Sequence, residues 1–392
     1  MRVTLGLLLV NLLLVLQMPC WAQRVAIGLF DNQELQSVVV QVVQGDYSLC
    51  GDSRPRVTAQ RGHPIYIHRQ GDSLSVTMGT QPLGLFRHVV LLSTAPLPQL
   101  QVSSLTGDEQ PNVYPGNLSL TVDFQRIMCI NLVEIDDYLA AVALAELGPR
   151  AELEAYKAQV ILARTYLFAH LDRHLEEGFN LCDNTHCQAY RGGAMAIGRI
   201  AQAAKETEGL VLVDAEGALI SAVFHANCGG QTATASQFWL SDRSYLQSVE
   251  DPDCWKNPRS RWTQSIPLDQ WRLFLRSKLI PVEHLQRADL TYSSRQRRTL
   301  YALPGGYSLP FRDLREYFHL KSAWFNVSVR GDKVILEGRG YGHGVGLCQQ
   351  GAMAKAKQGW NAEKILSYYF ANTHLIDIRQ QAKDGQTSPK GV

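Results

Sequence analysis

The sequence predicts an α+β protein with a β-rich N-terminal lobe followed by a mixed helical and β core. Residues 24 to about 130 contain short apolar runs separated by Gly, Asp, Ser and Pro turns, which are typical of strands. From Asp136 onward the apolar spacing changes to steps of three and four, which is typical of helices. The chain has 392 residues, enough for more than one lobe. Its 38 Lys and Arg nearly balance its 36 Asp and Glu, so its charge does not indicate a nucleic-acid partner.

The first residues have the pattern of a secretory signal peptide. Arg2 precedes an apolar run from Leu5 to Leu16, and Cys20-Trp21-Ala22 follows with a small residue where signal peptidase cleaves. We predict cleavage after Ala22 and export to the periplasm or cell wall of a bacterium. The apolar run is shorter than the roughly 20 residues that span a bilayer, so no stable membrane insertion is predicted.

Residues 23–130 form the predicted β-rich lobe. The segments "RVAIGLF", "SVVVQVV" and "HVVLLST" each combine β-branched and large apolar residues within a strand-length run. Candidate catalytic residues are absent from this sequence pattern, and we expect the lobe to position the rest of the protein.

Residues 131–374 are predicted to form the mixed core, and residues 375–392 a flexible polar tail. A helix is predicted from Ala151 to His174, because its apolar residues recur at helical spacing. They are Leu153, Tyr156, Val160, Ala163, Leu167 and Leu171. Residues 209 to 225 are predicted to return to strand with a turn at Glu216-Gly217, and residues 325 to 338 to form a hairpin turned at Gly331-Asp332.

Glu146 is a candidate general acid because of its position in a short helix. We expect Asp136 or Asp137 to cap that helix and Gly148-Pro149 to end it, which places Glu146 in the last turn. The negative pole of a helix lies there and disfavours an anion, so a partly buried carboxyl is expected to have a raised pKa. A carboxyl that keeps its proton can protonate a glycosidic oxygen. The alternative is an ordinary solvated glutamate.

Several long motifs closely resemble the sporulation stage II protein D and amidase enhancer (SpoIID/LytB) family. They are "YLAAVALAELGPRAELEAYKAQVILARTYLFAH", "CDNTHCQAYRG", "FHANCGGQTATASQFW" and "GRGYGHGVGLCQQGAMAKAKQGWNAEKILSYYF", spread between residues 130 and 374. Glu146 precedes Lys157 by 11 residues, as in the family pattern. The chain departs from that pattern where Leu147-Gly148-Pro149 replaces Met-Pro, and where Cys348 and Gln350 replace Ser and Tyr.

The resemblance implies action on the glycan strands of peptidoglycan, by lytic transglycosylation in catalytic members. Glu146 would protonate the oxygen between the two amino sugars and then take a proton from the muramyl 6-hydroxyl, leaving a 1,6-anhydromuramic end. This chemistry requires no cofactor. The first alternative is a non-catalytic, glycan-binding amidase enhancer, whose further partner is a cell-wall amidase. The second is a zinc-dependent cell-wall hydrolase, in which His225 and Cys228 complete the site.

Eight residues are predicted to contact the glycan, on the strength of the resemblance and their hydrogen-bonding or open backbone groups. They are Lys157, Gln159, Arg164, Tyr166, His225, Gly229, Gly230 and His343. The alternatives are surface charge for Lys157, a carboxylate partner for Arg164 that holds its helix in place, and tight turns for the glycines.

Four residues form a candidate metal site, namely His174, Cys182, His186 and Cys187. Two thiolates and two imidazoles suit tetrahedral Zn²⁺ in a structural role. The resemblance adds that some relatives bind zinc. The alternative is a disulfide from Cys182 to Cys187 or to Cys228, which is the ordinary state of cysteines in an oxidising compartment. Removal of Cys20 with the signal peptide leaves an odd number of cysteines, so at least one has another state.

Overall fold

The computed structural model describes residues 24–383, apart from 53–55, 106–109, 194–197, 240–241, 256 and 258–259. The predicted signal peptide lies outside the described residues. Within this range the chain forms two compact units. The first comprises the residues up to Val211 together with Ala218–Ile220 and the segment from Ile376, and the second comprises Leu212–Gly217 and Ser221–Leu375.

The first unit contains two sheets that together account for the predicted β-rich lobe. Its strands are β1 (Arg24–Leu29), β2 (Ser37–Gln44), β3 (Tyr47–Gly51), β4 (Val57–Ala59), β5 (Ile65–Gln70), β6 (Ser73–Met78), β7 (Gln81–Phe86), β8 (His88–Ser93), β9 (Gln99–Ser104), β10 (Asn112–Pro115), β11 (Asn117–Asp123), β12 (Arg126–Glu134) and β13 (Leu181–Cys182). One sheet has the order β13-β1-β12-β11-β8-β3-β4 and the other has the order β10-β9-β2-β5-β6-β7. Their strands pair antiparallel except for β13, which is parallel to β1. Side chains alternate between buried and half-buried along β6, as a sheet with one covered face requires.

Three helices follow the sheets in the first unit: α1 (Ile135–Leu147), α2 (Leu153–Ala169) and α3 (Gly198–Glu206). Strand β12 continues directly into α1, and residues 130 and 131 both lie within β12. Helix α2 confirms the predicted helix but ends at Ala169, and a short 3-10 turn at Leu175–Glu177 follows.

The second unit contains seven short strands and six helices among its described residues. They are β15 (Phe224–His225), α4 (Ala235–Phe238), α5 (Pro252–Trp255), β16 (Arg261–Pro267), α6 (Leu268–Ser277), β17 (Leu300–Ala302), β18 (Ser308–Pro310), α7 (Phe311–Tyr317), β19 (Phe325–Arg330), β20 (Lys333–Arg339), β21 (Leu347–Cys348), α8 (Gln349–Lys357) and α9 (Ala362–Tyr369). The predicted hairpin is confirmed, since β19 and β20 pair up to Arg330 and Lys333 around the Gly331 turn. Trp271 of α6 is fully buried in the core of this unit.

Strands β14 (Leu210–Val213) and β22 (His374–Asp377) carry the chain between the units, and α10 (Ile378–Lys383) follows. Helix α10 begins within the segment predicted as a polar tail. The turn predicted at Glu216-Gly217 is present, with the Gly217 N–H donating to the Asp214 carbonyl at 3.1 Å. The strand predicted on both sides of it is shorter than expected, because only β14 at one end and β15 at the other are strands. Leu219, Ile220 and Ala222 between them are buried outside any strand, so burial alone explains their apolar character. The mixed α+β class is confirmed.

Candidate functional site

The start of α1 differs from the prediction. Its N-cap is Glu134, and Asp136 and Asp137 lie in the first turn instead of capping it. The difference arises because β12 runs straight into the helix, without the loop in which a capping side chain folds back. Asp136 instead accepts a hydrogen bond from Arg164 on α2, at 3.0 Å. The pair joins the beginning of α1 to α2.

Glu146 lies in the last turn of α1, as predicted, and is half-buried. That turn contains no basic residue, and Gly148 closes it with φ near 70°, a conformation that favours glycine. The hydroxyl of Tyr156 donates to the Gly148 carbonyl at 2.5 Å and accepts from the Ala151 N–H at 3.1 Å. The buried Tyr156 therefore fixes the chain immediately after Glu146.

Helix α2 buries two of the residues predicted to contact the glycan. Gln159 and Arg164 are each 1% exposed, so a glycan reaches neither side chain in this structure. The Arg164 guanidinium also donates to the Thr207 carbonyl at 2.6 Å and to the Leu210 carbonyl at 3.3 Å. The carboxylate-paired alternative for Arg164 is therefore the one that the contacts support.

Lys157 and Tyr166 are more accessible residues of α2. Lys157 forms ion pairs with Glu154 and Glu206, each at 2.7 Å, so its charge is already compensated by two carboxylates. Tyr166 is half-buried, and its hydroxyl accepts from Arg173 at 2.6 Å. Its ring therefore borders the loop that carries the predicted metal ligands.

The four predicted metal ligands lie together. All their ligand atoms are within 4.8 Å of one another. The Cys182 sulfur is 3.6 Å from His186 Nδ1, and the Cys187 sulfur is 3.5 Å from His174 Nε2 and 3.8 Å from His186 Nδ1. Zn–S bonds of about 2.3 Å and Zn–N bonds of about 2.0 Å place sulfur and nitrogen ligands about 3.5 Å apart in a tetrahedron. The cluster therefore has the dimensions of a tetrahedral zinc site.

The surroundings of the cluster also suit a metal ion. Nδ1 of His174 lies 2.5 Å from a carboxylate oxygen of Glu177, which is the arrangement that orients metal-binding histidines. A hydrogen bond from the Cys182 thiol, and further ones from His174 and Arg173, lower the pKa of the Cys187 thiol and favour its thiolate. The described cysteines are all unbridged thiols. Four protein ligands would fill the coordination sphere of a bound Zn²⁺, as in structural zinc sites.

The second unit brings His225 and His343 together, with ring centroids 5.4 Å apart. Nε2 of His343 lies 2.9 Å from the Phe224 carbonyl, and Nδ1 accepts the Val345 N–H at 3.1 Å. These two bonds require a neutral ring with its proton on Nε2. Burial lowers the pKa of His343 to about 4 and the pKa of His225 well below its usual range. Both rings are therefore neutral near pH 7.

The predicted glycines allow the loops around these histidines to approach closely. A Cβ on Gly342, where φ is +103°, would lie 2.9 Å from the His225 Cβ. A Cβ on Gly229, where φ is +76°, would lie 2.8 Å from the Arg339 Cβ. Gly230 has no such crowding. Tight backbone packing accounts for Gly229 and Gly342.

Two features of the second unit were missed by sequence reasoning. Phe238 and Trp239 are half-buried rings that pack against His343, at centroid distances of 5.7 and 5.5 Å. The available sequence signal was the pair "FW" at the end of the motif "FHANCGGQTATASQFW". The other feature is a buried cluster of Cys228, Asp251, Cys254 and Cys348, for which the only signal was the odd number of cysteines.

The fold and these clusters define an α+β protein of two units, with a candidate acid and a candidate metal centre in the first. Comparison with known sequences gives a family match. Residues 123–213 match the SpoIID family, described as stage II sporulation protein. The match covers Glu146 and the four candidate metal ligands.

Curated relatives extend the similarity into the second unit. The chain is 28% identical over 260 residues to stage II sporulation protein D of Bacillus subtilis (strain 168), covering 62% of this chain and 75% of the relative. It is 26% identical over 287 residues to stage II sporulation protein D of Bacillus amyloliquefaciens, covering 69% and 83%. It is 27% identical over 275 residues to the amidase enhancer of Bacillus subtilis (strain 168), covering 57% of this chain but 38% of that relative.

Across the described ranges, no helix has both the length and the apolar character to span a membrane.

Proposed function

We propose that this protein is a peptidoglycan lytic transglycosylase with Glu146 as its general acid and base. The observation that carries the proposal is the position of Glu146, half-buried in the last turn of α1 and followed by a segment that Tyr156 fixes. The match of residues 123–213 to the SpoIID family supports a role at the cell wall, and the exported location predicted from residues 1–22 agrees with that role.

The chemistry needs one carboxyl group that both gives and accepts a proton. Glu146 donates its proton to the oxygen that links N-acetylmuramic acid to N-acetylglucosamine, and the glycosidic C–O bond breaks. The resulting carboxylate then accepts the proton of the muramyl 6-hydroxyl, whose oxygen bonds to the anomeric carbon. The glutamate is regenerated, and no water is consumed. The helix dipole at this end of α1 favours the protonated carboxyl at the start of the cycle.

The second unit offers the groups that suit sugar binding best. Phe238, Trp239 and His343 form a ring cluster that remains partly accessible, and sugar sites commonly combine aromatic faces with a few polar groups. Tyr341 is 54% exposed next to His343. We therefore add these aromatic residues to the predicted contacts Gly230 and His343. His225, also predicted as a contact, is 4% exposed and packs against the His343 ring, so a glycan does not reach its side chain in this structure. Tyr166 and Lys157 are the accessible predicted contacts in the first unit.

Mass spectrometry of purified cell wall digested by the protein tests the proposal. The wild type is expected to release products ending in 1,6-anhydromuramic acid. Glu146→Gln keeps the size of the side chain but not its proton, so cleavage is expected to fall by about 10²–10⁴-fold with folding intact. Glu152→Gln is the matched control, because Glu152 lies nearby on the same unit and its exposed carboxylate pairs with Arg199 at 3.4 Å. Cleavage by Glu146→Gln at the wild-type rate would refute the mechanism.

The second candidate is a glycan-binding protein that enhances an amidase. The observation that favours it is the similarity to a relative named amidase enhancer, although that similarity covers only 38% of the relative. Binding of peptide-stripped glycan without cleavage, together with stimulation of a purified cell-wall amidase, would support this candidate.

A zinc hydrolase fits less well. Four protein ligands would leave no open coordination position for water in the first-unit cluster. Neither of the two candidate metal clusters among the described residues includes His225.

A further inference from the structure

We propose that the second unit contains a buried metal site of its own, with Cys228, Cys254 and Cys348 as thiolate ligands and Asp251 as the fourth. The candidate ligand atoms of these residues all lie within 4.8 Å of one another. The four side chains come from three segments that are distant in the sequence. Thiolate-rich sets select Zn²⁺ or Cu⁺ among biological metals, and Zn²⁺ is the ion to test first.

Burial isolates this cluster from solvent. Cys228, Cys348 and Asp251 are 0% exposed and Cys254 is 1% exposed. The Cys228 and Cys254 sulfurs are 3.0 Å apart, and the Cys228 sulfur is 3.5 Å from a carboxylate oxygen of Asp251. Two thiolates on one Zn²⁺ lie about 3.8 Å apart, whereas disulfide sulfurs lie about 2.05 Å apart. A shift of less than about 1 Å reaches either arrangement, so the surroundings must decide between them.

Backbone N–H groups point at the sulfurs. Cys348 Sγ accepts from the Cys228 N–H at 3.3 Å and from the Gly351 N–H at 3.4 Å, and Cys254 Sγ accepts from the Gly230 N–H at 3.2 Å. Such donors stabilise a thiolate far more than a neutral thiol or a disulfide, and they surround the sulfurs of metal–thiolate centres. Gly351 is required here, because a Cβ would lie 2.0 Å from an Asp251 oxygen.

The buried charges also favour thiolates. Arg297 is 7% exposed, and the described ion pairs include no carboxylate partner for it. Its guanidinium donates to the Cys228 carbonyl at 2.9 Å, beside the cluster. Lys355 pairs with Asp251 at 2.7 Å and with Asp253 at 3.5 Å, and its side chain is 2% exposed. A Zn²⁺ ion with three thiolates and one carboxylate carries two net negative charges, which Arg297 offsets directly and Lys355 offsets in part.

A disulfide between Cys228 and Cys254 would not meet these requirements. It is uncharged, so Arg297 would be left in the interior without an adjacent negative charge, which is costly. It would also leave Cys348 as a lone buried thiol facing two N–H donors. The charges and donors therefore favour a metal site over a disulfide.

The proposed ion would join distant parts of the second unit. Cys228 and Cys348 are separated by 120 positions in the sequence. Cys228 belongs to the turn that contains Gly229 and Gly230, and Cys348 begins α8. Closing such a long loop removes much of the freedom of the unfolded chain. The ion would therefore stabilise the loops that carry His225 and His343.

Metal content of the full-length mature protein tests this site. Protein purified without chelator and freed of loosely bound ions should contain two Zn²⁺ per chain, one for each Cys-containing cluster. Cys348→Ser, which preserves size but removes a thiolate ligand, should lower the content to one. Cys50→Ser is the matched control, since Cys50 lies outside both clusters, and it should retain two.

Alkylation of the wild-type cysteines tests the site without requiring any variant to fold. With Zn²⁺ bound, Cys228, Cys254 and Cys348 should resist an alkylating reagent, and a strong chelator under denaturing conditions without reductant should make all three reactive. Peptide mapping that finds a Cys228–Cys254 disulfide would overturn the proposal. So would a zinc content of one per chain that Cys348→Ser does not change. Neither result depends on whether the protein cleaves glycan.

Discussion

In the proposed mechanism, Glu146 occupies a position that favours chemistry over helix stability. A carboxylate in the last turn of a helix faces the negative pole of the dipole, and the last turn of α1 contains no basic residue of its own. The protein nevertheless fixes the chain beyond Glu146 with two hydrogen bonds to one tyrosine. We interpret Tyr156 as a positioning residue, which acts on catalysis through the segment from Gly148 to Ala151.

Tyr156→Phe tests this role. Removing the hydroxyl leaves the buried Ala151 N–H without its bond, so we expect a loss of about 1–3 kcal/mol in the free energy of unfolding. Displacement of Glu146 should lower kcat by up to about 100-fold with little change in KM or in the pH profile. Kinetics on purified glycan and urea unfolding measure these effects.

Tyr190→Phe is the control for Tyr156→Phe. Tyr190 is a fully buried residue, as Tyr156 is, and its hydroxyl donates to the side-chain oxygen of Asn131 at 2.7 Å, within the first unit. We expect a similar loss of stability but unchanged kcat. If both variants lose activity in proportion to stability, Tyr156 has only a structural role.

At the scale of elements, the first-unit metal cluster depends on three short segments. His174 precedes the 3-10 turn Leu175–Glu177, and Cys182 lies in β13, where it pairs with Gly28 of β1. The side chain of Asn184 accepts the His186 N–H at 2.8 Å and shapes the turn that follows. Strand β13, which has two residues and lies at the edge of the sheet, thus helps to fix the positions of candidate ligands that are close together in the sequence.

Glu177→Gln should weaken metal binding at this cluster. The carboxylate of Glu177 orients His174, and loss of such a partner typically reduces metal affinity by about 10–100-fold. Competition with a chromogenic zinc chelator measures the change. Glu176→Gln is the matched control, because the adjacent side chain is exposed and outside the cluster, and its affinity should equal that of the wild type. Equal affinities for all three proteins would show that Glu177 does not support the site.

At the scale of the whole molecule, sequence patterns predicted the helices and strands that form within one continuous segment. They missed the contacts between residues that are far apart in the sequence. The strands of the N-terminal lobe, helix α2 and the hairpin of β19 and β20 follow from the spacing of apolar residues along one segment. The clustering of the four candidate ligands in the first unit could be predicted because they lie close together in the sequence.

The second cluster could not be predicted in this way. Cys228, Cys254 and Cys348 are brought together by folding alone, and a count of cysteines does not reveal which of them meet. The burial of Gln159 and Arg164 was missed for a related reason. Helix α2 is covered on nearly all sides, so its polar face is not a surface. The periodicity of apolar residues identifies the helix face that must be buried. It does not reveal whether other elements of the fold cover the opposite, polar face.

Acid should destabilise the protein through His343. The folded-state pKa of His343 is about 4, mainly because of burial, while the unfolded residue titrates near its ordinary value of 6.5. Between these values the unfolded state binds more protons, so stability is complete above about pH 6.5 and falls as the pH drops toward about 4. The full loss is roughly 3 kcal/mol, and about 2 kcal/mol of it should be present near pH 5. His225, whose pKa is also lowered, acts in the same direction.

Urea unfolding near pH 7.5 and near pH 5, followed by a probe in the second unit such as the fluorescence of its tryptophans, measures this loss. His343→Gln keeps a polar side chain of similar length but does not titrate, so the difference in unfolding free energy between the two pH values should shrink by about 2 kcal/mol. His284→Gln changes an exposed histidine of the same unit and should leave the difference as it is in the wild type. A wild-type protein that is equally stable at both pH values would show that His343 does not remain neutral by virtue of burial, and the tautomer assigned from its bonds to Phe224 and Val345 would have to be abandoned.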